Sequence, residues 1–108
     1  LFEYYDAFSI FAALSMEAAG FAERGLGWKL TRDGNPGLPS QVPCATLGGL
    51  KARGNPGGAT GVYQAVEATL QLRDQAGVNQ IAGARHALIQ CLGGPASIAV
   101  THILESMA

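Results

Sequence analysis

Three side chains in this 108-residue chain have the chemistry to act on a carbonyl compound: the phenol of Tyr5, the carboxamide of Asn55 and the thiol of Cys91. A phenol can donate a hydrogen bond to an oxyanion or, with a lowered pKa, take a proton from a hydroxyl. A carboxamide can donate but carries no nitrogen that titrates near neutral pH, so it can polarise a carbonyl and cannot serve as a general base. Each residue also has a plainer reading. Tyr5 could fill a sheet-to-helix corner beside Tyr4, Asn55 could be a turn former tolerant of unusual backbone angles, and Cys91 could be a small hydrophobe in an apolar strand. Asp6 reads as a helix cap rather than an acid. His86 and His102 fall in strand-like runs and read as structural. Cys44 and Cys91 form no paired-ligand spacing and read as free thiols, and no metal site is expected.

These residues must be positioned by a small α/β unit. "LFEYY", Leu1 to Tyr5, suits a strand ending at Asp6, which can cap the helix that follows. From about Phe8 to Ala22 the residues are apolar on almost every side, which predicts a helix buried nearly all round. From Glu23 to Gly58 runs a long connection rich in proline and glycine that holds the single tryptophan, Trp28, a possible loop anchor. A second helix is expected from about Ala59 to Ala76, with Val62, Ala65, Val66, Thr69 and Leu70 on its apolar stripe and Gln64, Glu67, Gln71 and Asp74 on its polar face. Tyr63 fits either the core or the wall of a pocket. "ARHALIQCL" and "ASIAVTHIL", separated by Gly93, Gly94 and Pro95, predict an antiparallel hairpin. Three strands and two such helices cannot bury themselves alone, so another layer is expected.

The composition narrows the function. With 14% charged residues and a net charge of −1, the chain lacks the basic footprint of a nucleic-acid binder. No apolar segment approaches the roughly 20 residues of a membrane span, and no leader pattern is visible, which predicts a cytoplasmic protein. The chain reads as a piece of a longer polypeptide. "GNPGGATG" lacks the lysine and spacing of a nucleotide P-loop, although glycines leading into a helix could offer free N–H groups to an anion.

The stretch "GLKARGNPGGATG", Gly49 to Gly61, resembles the "GHPxGATG" signature of thiolases, with Asn55 standing at the signature's histidine. "YDAF", Tyr5 to Phe8, resembles the "HDAF" or "HDCF" corner of the archaeal and sterol-carrier type of thiolase, with Tyr5 at the histidine. "QLR" (Gln71 to Arg73) and "CLGG" (Cys91 to Gly94) are similar to later landmarks of the family, the second to its "C-x-G" turn. The resemblance covers essentially residues 1–108 and implies the C-terminal portion of a thiolase-like domain: a mixed sheet with a terminal antiparallel hairpin and two helices, the N-terminal domain with its nucleophilic cysteine lying elsewhere.

For function, the resemblance implies chemistry on acyl-CoA thioesters, with coenzyme A as part of the substrate and no tightly bound cofactor. It implies catalytic roles for Tyr5, Asn55 and Cys91, and contact with substrate by Asp6, Phe8, Gly54, Gly57, Gly93 and Gly94. Because Tyr5 and Asn55 replace both imidazoles, retro-aldol cleavage of a 3-hydroxyacyl-CoA is the favoured expectation. Thiolase-like aldolases with tyrosine in place of the family histidines resemble this pattern, and they work with an OB-fold and zinc-ribbon partner subunit. An acetyl-CoA acyltransferase-type segment is one alternative. A non-catalytic acyl-CoA or lipid carrier or scaffold is the other. The expected partners are the remaining thiolase domain and a second copy in a homodimer.

Overall fold

The computed structural model describes residues 1–33, 41–94 and 96–107. Among the described residues four α-helices and three strands follow in order: β1 (Phe2–Glu3), α1 (Ser9–Ala18), α2 (Gly27–Arg32), α3 (Gly49–Arg53), α4 (Thr60–Leu72), β2 (His86–Gly93) and β3 (Ile98–Glu105), with 3-10 turns at Gly57–Ala59 and Gly77–Asn79. The strands form one mixed sheet in the order β1-β2-β3. β1 runs parallel to β2, with Phe2 opposite Leu88, and β2 pairs antiparallel with β3 from His86–Glu105 to Gly93–Ile98. The expected hairpin is therefore present; Pro95, placed in its turn, lies outside the described residues. Phe2 also bridges Cys44 on the far side of β1.

The strand expected at Leu1 to Tyr5 pairs over only two residues, and the region between the two long helices is not structureless. It holds α2 and α3, while residues 34–40 lie outside the described set. Trp28 ties down only its own corner, its indole Nε1 donating to Gly25 O at 3.1 Å. Its indole is 47% exposed on α2, with the Arg32 guanidinium 5.0 Å from the ring centroid.

Asp6 caps a helix, though not the one that follows it. Phe8 occupies the N-cap of α1, and no side chain caps that end. Asp6 Oδ1 instead accepts the Leu50 backbone N–H at 2.7 Å, across 44 residues, and ties the end of β1 to the first turn of α3. Gly49 makes the approach possible: its φ is +63°, and a Cβ there would fall 2.8 Å from Asp6 Cγ. Replacing Asp6 by alanine would leave a buried N–H without an acceptor. We expect Asp6→Ala to cost the complete protein about 1–3 kcal/mol, measured by urea unfolding; an unchanged midpoint would remove the carboxylate from the structural framework.

The core falls into two clusters, one of Phe2, Tyr4, Met16 and Cys44 and one of Ala68, Ala87 and Ile89. Neither α1 nor α4 is buried as its sequence suggests. Along α1, Ala13, Ser15 and Met16 are buried, yet Ile10 and Leu14 remain exposed, as does Phe8 just before it. In α4 the expectation is reversed. Gln64, Glu67 and Gln71 are buried against the sheet, while Val62 and Val66 are exposed.

The amides on the inner face of α4 replace missing backbone partners, which offsets part of the cost of burying them, although Gln64 Oε1 is buried without a partner. Gln64 Nε2 donates to Gln90 O on β2 at 3.3 Å. Gln71 Nε2 donates to Thr46 Oγ1 and Asn79 O, and its Oε1 accepts the Ile81 N–H, which fastens the connection between α4 and β2.

Candidate active site

Tyr5, Asn55 and Cys91 line one cavity of about 450 Å³. Tyr5 is delivered by the end of β1, Asn55 by the turn between α3 and α4, and Cys91 by β2. Gly57, Gly58, Gly93 and Gly94 complete its floor, with Ile98 and Val100 of β3 at one side. Parallel pairing of β1 with β2 accounts for the meeting of residues so far apart in sequence. Register places Glu3 beside Ile89, so Tyr5, two residues past the end of β1, and Cys91, two residues on within β2, lie toward the same end of the sheet.

Asn55 sits in an Asx turn that settles the direction of its amide. Its Oδ1 accepts the Gly57 N–H at 3.1 Å and the Thr60 hydroxyl at 3.3 Å. With the oxygen engaged on both sides, Nδ2 is the outward group, and among the described residues it has no acceptor. The site therefore presents a neutral, oriented N–H donor at the start of the helix. This geometry changes one expectation: the Gly57 N–H is taken by Asn55 and is not free for an anion.

Cys91 lies against α4, where a Cβ on Gly61 would sit 3.5 Å from its Sγ. That is ordinary van der Waals spacing, so the helix lies beside the thiol without requiring glycine there. The Tyr5 ring packs at 6.0 Å from that of Phe11, whose ring in turn meets Phe8 at 5.7 Å.

Asp6, Phe8 and Gly54 are not in the cavity lining. Asp6 is buried in its bond to Leu50, and Phe8 is exposed beyond the corner. Tyr63 also stands away from the cavity, with its ring beneath Arg53. His86 and His102 are exposed on the terminal strands, and His86 Nε2 faces Glu105 Oε1 at 3.5 Å. Cys44 is far from reactive: burial, with the nearby Glu3 carboxyl adding to it, pushes its thiol up to about 12, and it donates to Val42 O. No group of metal-ligating side chains forms among the described residues, and no described helix is long and apolar enough to cross a membrane.

A profile of thiolase C-terminal domain-like sequences matches residues 1–106. An acetyl-CoA acetyltransferase of Methanothermobacter thermautotrophicus is 43% identical over 97% of this chain and 27% of its own length. Sterol carrier protein 2 of Bos taurus is 36% identical over 92% of the chain and 18% of its own length. A benzoylsuccinyl-CoA thiolase subunit, BbsB, of Thauera aromatica is 36% identical over 68% of the chain and 19% of its own length. The chain thus spans about a quarter or less of each of these relatives.

Proposed function

This chain belongs to the thiolase family as a C-terminal domain-like member, and from that premise we propose that it supplies half of the active site of an enzyme cleaving or forming a C–C bond beside an acyl-CoA thioester. The convergence of Tyr5, Asn55 and Cys91 on one cavity carries the reading. Coenzyme A enters as part of the substrate. The remaining thiolase domain supplies the other wall of the site, and a homodimer is the expected assembly.

Retro-aldol cleavage of a 3-hydroxyacyl-CoA suits these residues best. Tyr5 in its ionised form takes the proton of the substrate hydroxyl, the Cα–Cβ bond breaks, the former hydroxyl carbon leaves as an aldehyde or ketone, and after release Tyr5 returns its proton to Cys91 through solvent. The electron pair passes to the thioester as an enolate, whose oxygen accepts from Asn55 Nδ2, and Cys91 returns a proton to Cα. No covalent acyl-enzyme and no free coenzyme A are consumed. Two of the relatives are named for acetyl transfer and for a thiolase subunit, which supports thioester chemistry; a partner subunit of the OB-fold and zinc-ribbon type is part of the proposal. A lipid-carrying role is the second reading, favoured by the relative named sterol carrier protein 2.

The complete polypeptide or complex that contains these residues is the material to assay. Cleavage of a 3-hydroxyacyl-CoA at a rate independent of added coenzyme A is expected. Cleavage of a 3-oxoacyl-CoA that requires coenzyme A would return the site to thiolysis. Binding of acyl-CoA with neither reaction would leave the carrier.

A further inference from the structure

Behind the Asn55 turn lies a group of ionisable side chains that the cavity does not use. Glu3 of β1 is 1% exposed and Glu67 of α4 is 3% exposed. Arg53, the last residue of α3, joins them: its Nε is in ion-pair contact with Glu67 Oε1. The same guanidinium donates through Nη1 to Gly54 O at 3.1 Å and lies 5.2 Å from the centroid of the Tyr63 ring. The Glu3 carboxyl, from β1, faces that of Glu67 and lies near the Thr46 backbone.

Two carboxylates and one guanidinium do not balance. Buried charge of this kind persists only where it is paired, and the polar atoms record the mismatch. Glu3 Oε1, both Glu67 oxygens, Arg53 Nε and Arg53 Nη2 are buried without a hydrogen-bond partner, the contact between Arg53 and Glu67 being ionic rather than aligned. One proton shared by Glu3 and Glu67 turns two acceptors into a donor and an acceptor and leaves a neutral trio.

The trio sits at the weaker end of the turn that carries Asn55. Thr60 secures the other end through its hydroxyl, whose single proton is shared between Gly57 O at 2.8 Å and Asn55 Oδ1 at 3.3 Å. The near end follows a helix of only five residues, too short to be stable alone, and passes through Gly54 at φ +113°. We propose that Arg53 is a positioning residue for Asn55: paired with Glu67 of α4 and bonded to Gly54 O, it holds the turn against α4 and so places the Asx turn that orients Asn55 Nδ2. The proposal rests on the functional reading above only for its kinetic test.

The groups facing Glu3 are Glu67 from α4 and Arg53 from α3, with Cys44, Tyr4 and the Leu1 amino group beyond them. Burial, then Glu67, pushes the Glu3 carboxyl from its ordinary 4.5 up to about 8. The folded state keeps a proton that the unfolded chain gives up. Stability from the trio is therefore full below pH 4.5 and is lost as pH rises through about 8. Above that value a second anion faces the single guanidinium, and the clamp loosens.

The test uses the complete enzyme. Arg53→Met, which keeps packing over Tyr63, should lower kcat by about 10- to 100-fold with KM within about twofold. In an Asn55→Ala background the same substitution should cost nothing further, because Arg53 acts only through Asn55. Glu3→Gln should flatten the alkaline fall of kcat near pH 8. Equal losses from Arg53→Met in both backgrounds, or an unchanged alkaline limb in Glu3→Gln, would overturn the proposal. Should Arg53→Met fail to fold, Arg53→Lys and the Glu3→Gln profile decide. If the wild type cleaves neither substrate, the functional reading has failed separately. The clamp is then read from the side-chain NH₂ resonance of Asn55 in asparagine-labelled protein: a shift in Arg53→Lys is expected, and an unmoved resonance refutes it.

Discussion

Asn55→Asp should lower kcat of the complete enzyme by roughly 10²- to 10³-fold while leaving the fold as stable as before or slightly more so. The two effects separate because the two ends of the amide have different duties. An aspartate keeps the oxygen that accepts the Gly57 N–H and the Thr60 hydroxyl, so the Asx turn survives. Its negative charge stands just before α4, where the helix macrodipole favours an anion by about 0.3–1 kcal/mol. The outward N–H donor, by contrast, is exchanged for a carboxylate that would repel a developing enolate. Turnover within about threefold of wild type, at an unchanged or raised melting temperature, would rule out Asn55 as the oxyanion donor.

The second large effect is expected at the corner. Tyr5→Phe should abolish most cleavage of a 3-hydroxyacyl-CoA, a loss of about 10²- to 10⁴-fold, with acyl-CoA binding retained. The ring remains to pack against Phe11, so only the oxygen is lost. Direct binding of a substrate analogue and the single-turnover rate are the paired measurements. A variant that cleaves normally would assign Tyr5 to packing alone and move the proton transfer to the other half of the site.

Much of this arrangement was legible from residue order, and the failures have identifiable causes. The hairpin and the two longer helices followed from runs of alternating or periodic apolar residues bounded by glycine. The family followed from motifs whose spacing no other feature imitates. Asp6 was misassigned because a capping aspartate is recognised by its sequence neighbours, whereas its bond crosses 44 residues to Leu50. Helices α2 and α3 are too short, at six and five residues, to show a period. The polarity of α4 was inverted because periodicity identifies an apolar stripe but does not say which side its own sheet lies on. Gln64, Glu67 and Gln71 look like a solvated face until their partners, a strand carbonyl, a guanidinium and a loop, are seen. Arg53 and Glu3 gave no signal, since an ion pair between distant segments leaves no local pattern.

The inverted helix also bears on how this protein can be engineered. A solubility screen on the isolated piece would reward exchanging Val62 and Val66, both more than half exposed, for lysine or glutamate. It would also class Gln64 and Gln71 as free surface if judged by side-chain type. The glutamines hold bonds within this chain itself, so their loss would harm the isolated piece and the assembled enzyme alike, whereas charges at Val62 and Val66 would harm only an assembly in which another layer covers that face. Rankings on the isolated piece and on whole enzyme should therefore agree at Gln64 and Gln71 and part at Val62 and Val66, and a library at the valines should be selected on whole enzyme.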